Sequence, residues 1–433
     1  MHWTEEQILA LAPDTASVKA GKGQANIGKW PSLGATNEVL WGEVKGSGSK
    51  PYQTRIDLKQ VGYKCSCPSR KFPCKHAIGL FLLHVRTPES FSSTAPPEWV
   101  TSWLEQRTKR AEKVSEKKAK PVNKEAQQKR AEKRIKKVAV GIDELQLWLK
   151  DLIRGGIASL PEKPSTFWKN TEARMVDAQA PGLATMVRSL QNMDYYSAGW
   201  EYKTWDIFTQ LHLVTEGFKH RECLSAETQE DIKSIIGWTY SQEELKLQTG
   251  VEDIWSILGK QETQEDRLTV IKYWLKGDHS GRYALILQFV ASGQPKSVEM
   301  VAGTSIEAEL VFYPGNNPLR AVVKSQQKTI PSQEPSGYQN FSEFEQAYAS
   351  IIAVNPWINQ IPVIFSEITP SMVQGKFLAL DEDSKSIPIV SSYDDQWKLL
   401  ALSGGKPVQL CGVVENQQLY PLGVWALSEY HLF

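Results

Sequence analysis

Residues 51–85, PYQTRIDLKQVGYKCSCPSRKFPCKHAIGLFLLHV, pass from a two-residue period to an apolar helix within one short stretch. In the first part Tyr52, Thr54, Ile56 and Leu58 alternate with Gln53, Arg55 and Asp57, the pattern of a half-buried strand. Gly62 marks a turn, and YKCSC reads as the returning strand. The run from Lys75 to Val85 is almost wholly apolar and long enough for a buried helix. Between strand and helix sit Cys65, Cys67, Cys74 and His76. Side chains two apart on a strand share a face, so Cys65 and Cys67 point the same way. Cys74 is expected just before the first helical turn and His76 within it. A pair from a hairpin and a pair from a helix start then close a tetrahedral shell of three thiolates and one imidazole, the donor set zinc prefers. Four protein donors leave no position for a reacting water, which makes the expected site structural. Its zinc should add folding energy to a small Gly-rich module.

Toward the N-terminus, TEEQILAL at 4–11 opens with a Thr cap and predicts a short helix. From Glu105 to Lys137 the chain holds fourteen Lys or Arg against five Glu, a local charge of +9 within a formal total of +1. That segment lacks an apolar face and has Pro121 in its middle, so it is expected to be a solvated helix pair or a disordered linker. Helical spacing resumes near Ile142 with Leu145, Trp148, Leu149, Leu152 and Ile153, and helical patterns run to about 248. Beyond about 250 short β-rich runs take over: IKYWL, YALILQFV, SVEMVA, EAELVFYPG, GKFLAL, SIPIV, WKLLAL and PVQLCGVV, with one helix at SEFEQAYASII. The expected architecture is a multidomain α+β protein. It comprises an N-terminal domain at 1–104 with a zinc module at about 52–86, a basic linker at 105–137, a helical domain at 138–249 and a β-rich domain at 250–433.

The pattern CSC-PSRKFP-CKH followed by an apolar helix resembles the SWIM zinc finger. The wider stretches WTEEQILALAPD (3–14), LWGEVKGSGSKPYQT (40–54), CSCPSRKFPCKHAIGLFLL (65–83) and FWKNTEARMVDAQAPGLA (167–184) are similar to bacterial SWIM-type zinc-finger proteins. The resemblance implies that Cys65, Cys67, Cys74 and His76 bind Zn2+, with DNA or protein interaction as the role. It also implies frequent encoding beside a MoxR-type AAA+ ATPase and a VWA-domain protein as possible partners.

Charge bears on the choice of partner. Lys64, Arg70, Lys71 and Lys75 surround the ligands, and no acidic residue lies between Leu58 and Pro88. With the 105–137 segment this is the footprint of a nucleic-acid binder acting through phosphates, not through base readout. The rival expectation is a purely protein–protein adaptor, docking through an acidic, β-rich C-terminal half with exposed-looking aromatics such as Tyr420 and Trp425. Catalysis is not expected. GQANIGKW (23–30) has the spacing of a phosphate-binding loop but places Trp30 where a magnesium-binding hydroxyl belongs. His220 and Cys223 lack an orienting acid, with Cys223 expected in a core, and Asp381, Glu382 and Asp383 read as a solvated turn. Five cysteines in 433 residues are no disulfide scaffold. No apolar run reaches the roughly 20 residues that span a bilayer, and no signal peptide is evident, so the expected location is cytoplasmic.

Overall fold

The computed structural model describes residues 3–46, 50–116, 124–265, 268–291, 299–331, 333–427 and 429–433. Helices α1 (Glu5–Leu9) and α2 (Thr15–Gln24) precede four strands, β1 (Ser32–Ala35), β2 (Val39–Val44), β3 (Tyr52–Asp57) and β4 (Gly62–Cys65), and helix α3 (Lys75–Arg86) follows. The strands form an antiparallel meander in chain order. Thr4 caps α1 in a reciprocal box with Gln7. On one face of the sheet Leu40, Val44 and Ile56 pack against Ile78, Phe81 and Leu82 of α3, with Trp3 and Ile8 of the N-terminal segment completing the core.

The other face is not open to solvent. Helix α4 (Glu98–Glu116) lays Val100 and Trp103 on Val39 and Trp41. Arg55 and Asp57, read from sequence as the solvent side of a half-buried strand, are therefore 9% and 7% exposed. Aromatic and charged side chains of α4 cover both. The Arg55 guanidinium lies 5.2 Å from the centre of the Trp99 ring, and Arg107 Nε donates to Asp57 at 3.2 Å.

A five-helix core follows: α5 (Lys124–Gly155), α6 (Ser165–Asp177), α7 (Pro181–Gln191), α8 (Trp200–Lys219) and α9 (Ala226–Ile236), trailed by the short α10 (Gln242–Leu245). Of the basic 105–137 segment, the described parts are helical, and 117–123, with Pro121, lies outside the described residues. Leu145, Leu149 and Leu152 are buried as their spacing predicts, whereas Ile153 is 42% exposed.

Strands β5 (Val251–Glu265), β6 (Leu268–Gly277), β7 (Tyr283–Ala291), β8 (Thr304–Phe312) and β9 (Arg320–Pro331) close a barrel in the order β5-β6-β7-β9-β8. Among the described residues the barrel strands pair antiparallel except for β7–β9, which is parallel. Trp255, Ile271, Tyr273 and Leu275 fill its interior. Helix α11 (Phe341–Val354) then leads to β10 (Ile361–Val373), β11 (Lys376–Leu380), β12 (Ser386–Pro388), helix α12 (Tyr393–Ser403), β13 (Val408–Glu415), β14 (Gln418–Ala426) and β15 (Glu429–Leu432). These strands make one antiparallel sheet, β12-β11-β10-β13-β14-β15.

The structure departs from the sequence pattern at three places. WKLLAL belongs to helix α12, because Ser392 accepts from the Asp395 amide and caps a turn that a six-residue apolar run cannot distinguish from a strand. In SVEMVA, 297–298 lie outside the described residues and Glu299–Ala302 form no strand. Tyr420 and Trp425 are half-buried, Trp425 because its ring packs 5.4 Å from that of Tyr430. Among the described residues no helix is long and apolar enough to cross a membrane.

The barrel touches every other part. Leu258 and Trp274 on its outer surface pack against Ile364, Cys411, Val413 and Leu422 of the C-terminal sheet. Its 313–319 loop reaches the helices, where Asn316 donates its backbone N–H and its Nδ2 (2.7 Å) to Asp231. Toward the N-terminus Gln7 Nε2 donates to the carbonyls of Ala302 and Gly303. The Thr329 amide donates to Lys59 O at 2.7 Å, and Tyr63 Oη to Glu299 at 2.9 Å.

Candidate metal centre

Strand β4 stops at Cys65, and the Ser66 amide extends its pairing by one more bond, to Gln53 O at 3.0 Å. Cys67 thus lies just past the strand end, at the start of the loop. That loop runs through a cis Phe72–Pro73 bond to Cys74, which is the extended N-cap residue of α3. His76 occupies the first turn. The apolar surface of α3 anchors this turn, so the helix holds Cys74 and His76 while the sheet holds Cys65.

The four donor atoms lie within 4.8 Å of one another, and Cys65 Sγ is 3.7 Å from His76 Nδ1. Donors at zinc bond lengths of about 2.0–2.3 Å in a tetrahedron stand roughly 3.3–3.8 Å apart, so a small contraction around one ion completes the shell. Cys74 and His76 are buried and the other two cysteines half-buried. The ring of Tyr52 stands 5.4 Å from that of His76 and shields it.

Electrostatics of the donor set also fit a dication. The Cys74 thiol hydrogen-bonds to Cys65, and His76 and Thr54 Oγ1 (3.2 Å) add to this, so the Cys65 thiol is pulled down to about 3 against the cost of burial. Cys74 is pushed well up in return, first by giving its hydrogen to Cys65 and then by burial. Burial raises Cys67. Three thiols this close, partly or wholly buried, oppose one another's ionisation. A bound Zn2+ removes that conflict, because a coordinated thiol is deprotonated outright. Cys65, Cys67, Cys74 and His76 are therefore positioned to bind a zinc ion.

Of the four cations read as possible nucleic-acid contacts, Lys64, Arg70, Lys71 and Lys75 are all exposed. Lys71 is engaged: its Nζ is 2.6 Å from Asp14, whose carboxyl it pulls down to about 2 with help from Ser17. Lys71 and Lys75 line a cavity beside the centre together with Lys45 and Tyr52, which sequence reasoning missed; Lys64 lines a separate, smaller one with Cys65 and Cys74. The remaining motifs fall to local structure. Lys29 Nζ donates to Gly23 O, and Trp30 is a core residue. Cys223 is exposed on a single 3-10 turn, not in a core. Asp381 is buried and accepts the Phe341 and Lys385 amides, fixing the turn it belongs to.

Geometry and donors define a Cys3His zinc finger carried on a hairpin end and a helix start. Residues 50–84 match the SWIM zinc finger, and residues 133–236 match the SWIM-associated four-helix bundle domain. The second match spans the core formed by α5 to α9. No curated protein and no solved structure matches the chain.

Proposed function

We propose that this zinc-binding interaction protein contacts nucleic acid through the cationic surface around its finger, largely without regard to base sequence. The observation that carries the reading is that Lys64, Arg70 and Lys75 stand exposed around the centre, with no acidic partner among the described residues. Charge distribution adds support. Residues 1–137 hold 26 Lys or Arg against 13 Asp or Glu, whereas 138–433 hold 24 against 36. A chain polarised in this way turns its basic N-terminal third toward a polyanion, and each neutralised phosphate releases condensed counterions. Zinc bound by four protein donors shapes this surface and performs no chemistry.

The test is binding of labelled DNA and RNA to the zinc-loaded chain across a salt series. Reversing Lys64, Arg70 and Lys75 to Glu should reduce affinity at least tenfold and flatten the log K against log salt slope by about 2–3. Zinc content should not change, since none of the three is a ligand. If the wild-type chain retains no nucleic acid even at low salt, the reading fails. An adaptor serving an ATPase or VWA-domain partner then takes its place.

A further inference from the structure

Beside the zinc centre, helix α2 and the finger enclose an open trough of about 640 Å³. Its floor includes the methyl groups of Ala16 and Ala20, Tyr52 stands in the hairpin wall, and Lys45, Lys71 and Lys75 supply its cations. We infer that this trough is the seat of a single-stranded nucleic acid, with the lysines meeting phosphates and the apolar floor and Tyr52 ring meeting unstacked bases. The inference rests on the nucleic-acid reading above and gives it a place and a substrate class.

The lining selects among polyanions. A duplex offers phosphates outward and keeps its base faces stacked inside, so it gains nothing from apolar surface between the lysines. A single strand presents both, and base–aromatic stacking contributes about 1–3 kcal/mol per base. An acidic peptide matches the cations but brings no flat faces to the floor. The trough also carries its own competitor. Asp14 holds Lys71 at 2.6 Å and caps α2 by accepting the Ser17 amide at 2.7 Å. A phosphate must displace or outbid that carboxylate. Asp14→Asn keeps the cap, since Asn caps helices as well as Asp does, while removing the competing charge.

The experiment measures binding of labelled oligothymidylate, and of a duplex of equal length, to the zinc-loaded full chain. The single strand should bind more tightly. Lys45→Glu should weaken it roughly fivefold to tenfold, and Asp14→Asn should tighten it about threefold, both at unchanged zinc content and melting temperature. If Lys45→Glu and Asp14→Asn leave affinity unaltered while the Lys64→Glu/Arg70→Glu double variant lowers it, the trough is wrong and the nucleic-acid reading survives. Preference for the duplex, or equal capture of a polyglutamate peptide, overturns the single-strand assignment. Absence of all binding in the wild type removes both.

Discussion

Cys65, Cys67, Cys74 and His76 were legible as ligands from spacing alone, because a strand end and a helix start within twelve residues leave their side chains few other ways to point. Replacing Cys65 or Cys74 with Ser should abolish zinc retention in elemental analysis and open residues 50–85 to protease. Structural zinc in small fingers contributes on the order of 10 kcal/mol, more than such a module holds in reserve. Lys45 and Tyr52 were not legible in this way. Their relevance depends on α2, and nothing near them in the chain announces that helix. A second residue, Asp253, shows how a buried charge is kept. Its carboxylate accepts the amides of His279 (3.0 Å) and Ser280 (2.8 Å), and His279 Nδ1 lies 2.9 Å away, which pins the β6–β7 turn. Burial works against the charge, but these bonds outweigh it and pull the carboxyl down to about 2. The charged form is thus the stabilised one. Its contribution is complete above the unfolded value of about 3.9 and is lost as pH falls through about 2. Asp253→Asn should cost on the order of 2 kcal/mol in urea melts at neutral pH, and the gap from wild type should close toward pH 2.

Among the elements, α2 was missed for a physical reason. Its sequence, TASVKAGKGQ, carries two glycines and no apolar stripe, so neither propensity nor periodicity marks it. It persists through close contact with α3. A Cβ on Gly21 would lie 2.4 Å from Ile78 Cγ2, and one on Gly79 would lie 2.5 Å from Gln24 Cβ. Gly79→Ala should therefore push the two helices apart, costing about 1–3 kcal/mol in thermal or denaturant melts. Because α3 also carries His76, zinc transfer to a chelator should accelerate in the same variant. Long periodic elements such as α3 and the buried part of α5 were readable from spacing. The strand-like reading of α12 failed because a six-residue apolar run carries no period, and only the cap at Ser392 decides it. For β3, alternation gave the strand but not its second cover: Arg55 and Asp57 look solvent-facing until α4 brings Trp99, Trp103 and Arg107 onto them.

At the scale of the molecule, the α+β class and the succession of finger, helices and β-rich half could be read from the chain, whereas the closed barrel and its central position could not. Closure depends on β7 meeting β9 in parallel and on β5 meeting β8, pairings between distant segments that no local pattern encodes. Asp231 tests how tightly the helices are fastened to the barrel. Ala at this position would strip the Asn316 amide of its acceptor beside Gly315, whose φ of 144° and closeness to Asp231 fix the loop path. Asp231→Ala should cost about 1–3 kcal/mol, and amide exchange at 313–319 should rise while finger peptides stay protected. Docking of the finger on the barrel also has a consequence in time. The groups that receive it, Glu299 to Gly303 and Thr329, are synthesised on the order of 200 residues after α3. At about 5–20 residues per second a nascent finger waits roughly 10–40 s for its docking surface. Until then Tyr63 and the β3–β4 turn have no barrel to rest on, and the metal is the reinforcement already within reach. Zinc supply during translation, more than zinc supply afterwards, should therefore set the yield of correctly assembled chain.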